Sequence, residues 1–143
     1  MSGLVAVLAI SGSYADDLVL DGGVIYTNDA GTSNYVCFVV GSNTADNGYI
    51  LTNGAVLNTT TAVVGYAGSA TNNFVLVDGA TWHNATNVYM GYSGSAGFNR
   101  IIITNGGLWS LGKDAIVFVG KASNPTRISE GKYVYFLASP VKF

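Results

Sequence analysis

FVLVDGATWHNATNVYMGYSGSAGFN (residues 74–99) is followed directly by RIIITNGGLWSLGKDAIVFVGKASN (residues 100–124), and both stretches follow one pattern. Each begins with an apolar run ending at Asp-Gly or Asn-Gly, continues to a tryptophan, and reaches a second apolar run that ends at glycine. A third copy, YILTNGAVLNTTTAVVGYAGSATNN, occupies residues 49–73. Repeats of about 25 residues are too short to bury their own apolar face, so they predict a chain of stacked coils.

The apolar runs within each repeat are short and rich in aliphatic and β-branched residues, which is typical of strands. Asp-Gly and Asn-Gly are strong turn formers because glycine accepts positive φ. In a hairpin these turns would give antiparallel strands. Repetition at a nearly constant spacing instead predicts that like residues of successive coils stack in parallel register. The predicted fold is therefore an all-β, single-stranded parallel β-helix (β-solenoid) of about four to five coils with a C-terminal cap.

The repeat pattern also predicts which residues occupy equivalent positions in successive coils. The predicted turn ladder comprises Asp21-Gly22, Asn53-Gly54, Asp78-Gly79 and Asn105-Gly106. Strand positions preceding these turns are assigned to Val19, Leu51, Leu76 and Ile103, and positions three residues after the turn glycine to Ile25, Leu57, Trp82 and Trp109. We call the glycine that ends the second apolar run of each repeat the closing glycine. Interior positions just before it are assigned to Phe38, Ala62, Val88 and Val117, and to Val40, Val64, Met90 and Val119. The alternating residues Val39, Val63, Tyr89 and Phe118 should point outward.

The period divides the chain into coils of unequal length. Solenoid coils are predicted over 1–126, with an incomplete first coil at 1–17, repeats near 18–48, 49–73, 74–99 and 100–126, and a terminal strand and cap at 127–143. In the first repeat, AGTSNY (residues 30–35) is interpreted as an insertion between two strands. Terminal repeats of solenoids are atypical because they cover strand edges, and residues 132–137 are predicted as the final strand. The alternative is open ends that stack end to end.

Composition narrows the classes of partner. Apolar residues make up 49% of the 143 residues and charged residues 10%, whereas ordinary soluble domains have about 25% charged residues. No apolar run approaches the ~20 residues of a spanning helix, so a membrane-spanning chain is not expected. The net charge of −2 and scattered basic residues argue against a nucleic-acid partner, which requires clustered basic residues.

The apolar run 4–10 imitates a short signal peptide but lacks a basic region, and we interpret it as a strand of the first coil.

No catalytic or metal-binding constellation is evident in the sequence. Asp16 and Asp17 are adjacent, but neighbouring strand residues point to opposite faces. The single cysteine, Cys37, lies inside an apolar run and is interpreted as a small buried hydrophobe. Spacing brings no set of donors together as a metal site requires. We therefore expect no enzyme activity, no cofactor and no bound metal.

Aromatic residues are the best indication of a binding surface. Tyr66 and Tyr92 both follow a closing glycine and should stack in register. Tyr89 is predicted on the outer face, and His83 faces away from its neighbour Trp82. These four residues, Tyr66, Tyr92, Tyr89 and His83, are the candidate surface-binding residues. The alternative is that the rings simply pack within the solenoid.

The stretch VDGATWHNATNVYMGYSGSAGFNRIIITNGGLWS (residues 77–110) resembles the repeats of autotransporter-associated, PEP-CTERM-type bacterial surface proteins. Both have an apolar strand, an Asp/Asn-Gly turn, a small-x-Trp segment, a second apolar strand ending in glycine, and Gly-Ser-rich turns. The resemblance covers residues 18–120. It implies a right-handed parallel β-helix in an exported or cell-surface protein. This chain differs in having few coils, no recognisable translocator or sorting tail, and a final stretch that breaks the repeat.

Three function classes follow from these observations. The first is a non-catalytic structural module, such as a stalk, passenger or adhesin segment, or a self-assembling filament subunit that associates through its ends or outer face. The second is a glycan- or host-surface-binding module. The third, least favoured by the scattered acids, is a polysaccharide-active β-helix enzyme.

Overall fold

A computed structural model describes residues 16–93 and 95–120, together with a backbone strand at residues 133–136. All regular structure in these ranges is β, and glycine-rich turns separate the strands. The strands are β1 (Asp16–Leu20), β2 (Ile25–Asn28), β3 (Thr32–Val40), β4 (Gly48–Thr52), β5 (Val56–Val64), β6 (Phe74–Asp78), β7 (Thr81–Asn84), β8 (Val88–Met90), β9 (Arg100–Thr104), β10 (Leu108–Leu111), β11 (Val117–Val119) and β12 (Tyr133–Phe136).

The strands form two sheets in which every pairing is parallel. The first sheet has the order β1-β3-β5-β7-β10, and β8 pairs with both β5 and β11. The second sheet has the order β12-β9-β6-β4-β2. Neighbours within a sheet are therefore strands from successive coils. This arrangement confirms the predicted parallel β-solenoid, with about four turns.

The strand register confirms the predicted interior positions of the first sheet. Phe38 pairs with Ala62, and Ala62 with Val88, while Val64 pairs with Val40 on one side and Met90 on the other. These side chains pack against residues of the second sheet and against the column that contains both tryptophans. The most deeply buried members of this core include Phe38, Val40, Tyr49, Leu51, Leu57, Val64, Trp82, Met90, Ile101, Ile103 and Trp109.

The first predicted repeat was wrong in its strand assignment. Leu20 pairs with Val40, so β1 closes the preceding coil instead of opening a new one. Ile25 pairs with Gly48 and is 59% exposed, whereas Ser33 occupies the position predicted for Ile25, opposite Leu57. The reason is that β3 is one continuous strand from Thr32 to Val40, so most of the segment interpreted as an insertion hydrogen-bonds to β5.

The register also shifts the predicted turn ladder. The corner at which the closing glycines lie is here called the coil-closing corner. Asp21-Gly22 follows β1 and lies at this corner, so it does not belong to the column of Asn53-Gly54. Asp78 pairs with Thr52 and Thr104, which places Gly79 at the level of Asn53 and Asn105. Consistent with this, φ is 53° at Asn53, 58° at Gly79 and 50° at Asn105.

A difference in turn length explains the shift at Asp78-Gly79. Only residues 79–80 join β6 to β7, whereas residues 53–55 join β4 to β5 and residues 105–107 join β9 to β10. The same shift applies to the strand before the turn, where Val77, not Leu76, pairs with Leu51 and Ile103.

The two termini are described only in part. β12 lies within the predicted final strand at 132–137 and pairs in parallel with β9. Most of the predicted incomplete coil at 1–17 and of the predicted cap at 127–143 lies outside the described residues. Within the described ranges, no helix is long and apolar enough to cross a membrane.

Candidate functional site

A ladder of three buried asparagines, Asn47, Asn73 and Asn99, runs along the inside of the coil-closing corner. The Asn47 backbone N–H and side-chain Nδ2 both donate to Asn73 Oδ1 at 2.9 Å. The Asn73 backbone N–H and Nδ2 donate in the same way to Asn99 Oδ1 at 3.0 Å. All three side chains are fully buried. Because buried amides are costly unless hydrogen-bonded, this ladder ties three successive coils together.

The ends of this asparagine ladder are also hydrogen-bonded. Asn47 Oδ1 accepts the backbone N–H groups of Gly23 and Val24 at 2.9 Å, so the ladder reaches the coil that contains β2 and β3. At the other end, Asn99 Nδ2 donates to the carbonyls of Ala70 and Ala96. This ladder was not predicted from the sequence, although an asparagine precedes β4, β6 and β9 at a spacing of 26 residues.

Two closing glycines make room for the asparagine ladder. A Cβ atom at Gly41 would lie 2.3 Å from the Asn73 side chain, and one at Gly65 would lie 2.1 Å from Asn99 Nδ2. Both glycines also have φ near +80°, a conformation that favours glycine. The glycine that ends each apolar run therefore does more than stop a strand, because it lets an asparagine pack against the backbone.

A second polar network lies beside the buried tryptophans. Trp82 and Trp109 stack with ring centroids 5.1 Å apart and planes at 17°. Trp82 Nε1 donates to Thr59 Oγ1 at 2.9 Å, and Thr59 Oγ1 donates to Asn84 Oδ1 at 2.5 Å. The side chains of Thr59 and Asn84 are both buried. This network fixes the part of the first sheet that lies beneath an outer groove.

The outer groove, which we call the polar groove, has a volume of about 290 Å³. Strand register places Asn58, His83 and Ser110 side by side across three coils, and the imidazole Nδ1 of His83 contacts the hydroxyl of Ser110. Asn34 extends the row by one coil and accepts a hydrogen bond from Asn58 Nδ2 at 2.9 Å. The residues that line the polar groove are Asn58, Thr59, His83, Asn84, Ala85, Ser110, Leu111 and Gly112.

A separate aromatic cluster on the outer surface consists of Tyr66, Tyr89, Tyr92 and Phe118. Tyr66 and Tyr92 stack at 4.9 Å and 18°, and each is 47% exposed. Tyr89 stacks on Phe118 at 4.9 Å and 7°, and its ring packs edge-on against Tyr92 at 5.4 Å. Stacking of this kind engages one face of each ring with its partner.

The structure therefore divides the four candidate surface residues between two places. Tyr66, Tyr89 and Tyr92 lie together in the aromatic cluster, as the repeat positions predicted for the two stacked tyrosines. His83 is exposed, but it lines the polar groove with Asn58 and Ser110. The other groove residues were not predicted from the sequence, because no single repeat contains them.

The ionisable groups differ in environment. Cys37 was predicted to be buried, but it is only partly buried. This partial burial raises the pKa of its thiol, and the nearby charge of Asp17 adds to the effect, so little reactive thiolate forms at neutral pH. Burial also raises the pKa of Asp21, but hydrogen bonds from Thr44 and Asn43 outweigh it and leave that pKa lowered. Among the described residues, no group of three or more His, Cys, Asp or Glu side chains is placed to hold a metal ion.

Asp21 acts as a cap on the next coil. Its Oδ1 accepts the backbone N–H groups of Asn43 and Thr44 at 3.0 and 2.8 Å and the Thr44 hydroxyl at 2.7 Å. Asp21 was predicted as a member of the turn ladder. It instead links the coil-closing corners of two successive coils through hydrogen bonds to Asn43 and Thr44.

Comparisons of this chain with protein-family models, curated proteins and solved structures found no match. The resemblance to bacterial surface-protein repeats therefore stays a prediction based on the quoted motif.

Proposed function

We propose that this chain is a non-catalytic structural module of an exported or cell-surface protein, serving as a stalk or passenger segment or as a filament subunit. The observation that supports this proposal is the asparagine ladder. Asn47, Asn73 and Asn99 are fully buried and hydrogen-bonded to each other from coil to coil. Such a ladder holds successive coils in one register.

Rigidity follows from how each coil is attached to the next. Parallel strands lie about 4.8 Å apart, so each coil adds that length along the axis. The apolar core is continuous from coil to coil, because the interior columns of both sheets belong to one cluster. Removing one coil would expose the apolar faces of its neighbours, which makes local unfolding costly. A stiff rod of this kind suits a spacer that holds another segment away from a surface.

The location and rigidity of the protein can be tested together. Antibodies against the purified chain should label intact, unpermeabilised cells that naturally produce it. The purified chain should also resist trypsin and proteinase K over the described coils under native conditions. Labelling only after permeabilisation would refute the cell-surface assignment, and rapid cleavage between β2 and β11 would refute the rigid-module role. Light scattering against protein concentration would show whether the module forms filaments.

Binding to a glycan or host surface is the second candidate function. The aromatic cluster supports it, because Tyr66 and Tyr92 expose nearly half of their surface while most large apolar side chains are buried. Exposed aromatic clusters often mark contact surfaces. If the aromatic cluster carries this second function, replacing both tyrosines with alanine should abolish binding to glycans or host cells without unfolding the chain. Unchanged binding would remove the aromatic cluster from consideration.

A further inference from the structure

The polar groove presents one hydrogen-bonding side chain per coil along the solenoid axis. Asn34, Asn58, His83 and Ser110 occupy one register column across four coils. Adjacent members are about 4.8 Å apart because they lie on neighbouring strands. A column of this kind matches a ligand that repeats its own hydrogen-bonding groups along its length.

We propose that the polar groove binds a neutral polysaccharide chain that lies along the solenoid axis. This site goes beyond the proposed structural role and does not depend on it. The eight lining residues contain amide, hydroxyl and imidazole groups, and none is a carboxylate, lysine or arginine. Leu111 and Ala85 are apolar members of the lining, and apolar atoms make up most of its exposed surface. Sugars match this mixture, because their hydroxyl groups hydrogen-bond to amide, hydroxyl and imidazole groups while their C–H faces contact apolar side chains.

The chemistry of the lining disfavours other ligand classes. Phosphates and nucleic acids are recognised through arginine and lysine, neither of which lines the groove. A bound peptide normally adds a strand to a free sheet edge. That mode is not open at β5 and β7, because each is paired with strands on both sides.

The groove is held in shape before any ligand arrives. Its floor is fixed because Thr59 and Asn84 are buried and bonded to each other and to the indole N–H of Trp82. One end is fixed because a Cβ at Gly112 would lie 2.0 Å from the carbonyl oxygen of Ala85, so the two coils meet closely there. A site that is already ordered loses little conformational entropy on binding.

The aromatic cluster is less suited to sugar stacking than its exposure implies. A sugar stacks on the free face of a ring. Tyr66 is stacked on Tyr92, and Tyr89 on Phe118, so one face of each of these rings is already occupied by its partner. If the polar groove binds the sugar, replacing Tyr66 and Tyr92 should leave binding unchanged. If the aromatic cluster binds it, the same replacement should abolish binding.

The test is a titration of the ¹⁵N-labelled full chain, followed by NMR, with cellohexaose, maltohexaose and chitohexaose. A hexamer of galacturonic acid is the anionic comparison. We expect shifts of the Asn58, His83 and Ser110 amide signals with at least one neutral hexamer. Loss of one neutral hydrogen bond should weaken binding about three- to tenfold in His83→Ala or Asn58→Ala. Ala85→Trp, at an exposed position, should fill the groove and abolish binding.

Matched controls separate binding from folding. Thr61→Ala changes an exposed hydroxyl on the same strand as Asn58, outside the groove lining, and should leave binding unchanged. The Tyr66→Ala/Tyr92→Ala double variant should also bind normally. Thermal unfolding of each variant verifies that the fold is retained.

Several results would overturn the groove assignment. These are no signal shift with any neutral hexamer, shifts confined to the aromatic cluster, full binding by Ala85→Trp, or tighter binding of the acidic hexamer. None of them would affect the structural role, which is tested by cell labelling and proteolysis. Loss of protease resistance would refute the structural role and leave the binding result standing.

Discussion

Replacing Asn73 with alanine tests whether the asparagine ladder stabilises the solenoid. The substitution removes three hydrogen bonds: those from the Asn47 backbone N–H and Nδ2 to Asn73 Oδ1, and that from Asn73 Nδ2 to Asn99 Oδ1. Asn47 Nδ2 retains other acceptors, at Thr44 and Ala45. The Asn47 N–H loses the acceptor that the asparagine ladder provides.

The expected magnitude follows from these losses. A buried N–H left without an acceptor costs about 1–3 kcal/mol, and each of the other two bonds contributes about 1 kcal/mol. We therefore expect Asn73→Ala to lower the free energy of unfolding by about 3–5 kcal/mol. For a domain of this size each kcal/mol corresponds to a few degrees, so the melting temperature should fall by roughly 10 °C.

The assay is urea unfolding followed by circular dichroism and by fluorescence of the buried tryptophans. Coincident transitions from the two signals would justify a two-state treatment. The matched control is Asn58→Ala, which removes a surface amide with a single bond to Asn34 and should change stability by less than about 0.5 kcal/mol. Equal destabilisation by the two variants would refute the argument that the buried ladder holds the coils together.

Three further predictions concern other positions. Gly65→Ala should lower the free energy of unfolding by more than about 2 kcal/mol, since the new Cβ would overlap Asn99 Nδ2. In the control Gly54→Ala the Cβ meets no atom within 4 Å, so only the strain of a positive φ remains, at about 1 kcal/mol. Comparable losses for the two variants in thermal melts would contradict this. Because the pKa of Asp21 is lowered in the folded chain, the stabilisation from its carboxylate is complete well above pH 3.8 and is lost as pH falls through the folded-state pKa. Asp21→Asn should therefore flatten the acid limb of a curve of unfolding free energy against pH. An unchanged acid limb would contradict this prediction. Since partial burial raises the pKa of Cys37, its thiol should react with a maleimide more slowly in the folded chain than in urea at the same pH, and equal rates would contradict the raised pKa.

Some features could be predicted from the sequence because they depend on periodicity alone. The period of about 25 residues and the short apolar runs led to the parallel solenoid. The interior positions Phe38, Val64 and Met90 were correct, because side chains alternate along a strand and the closing glycine marks the end of each run. The stacking of Tyr66 on Tyr92 followed from the same rule.

Other features could not be predicted because register depends on hydrogen bonding between coils. Asp21-Gly22 looks like the other turn dipeptides, but it lies at a different corner, and the turn at Gly79 is one residue shorter than its neighbours. A local dipeptide signals a turn without stating which corner it forms.

The candidate sites depended most on tertiary structure. Asn47, Asn73 and Asn99 resemble ordinary turn residues in the sequence, and only stacking of the coils brings each amide within hydrogen-bond distance of the next. Asn58 and His83 likewise become neighbours only through the pairing of β5 with β7. The sequence by itself determined that coils stack, since periodicity and burial require it. Which polar groups meet between coils was decided by the tertiary structure, because insertion or loss of one turn residue changes which side chains lie at the same level.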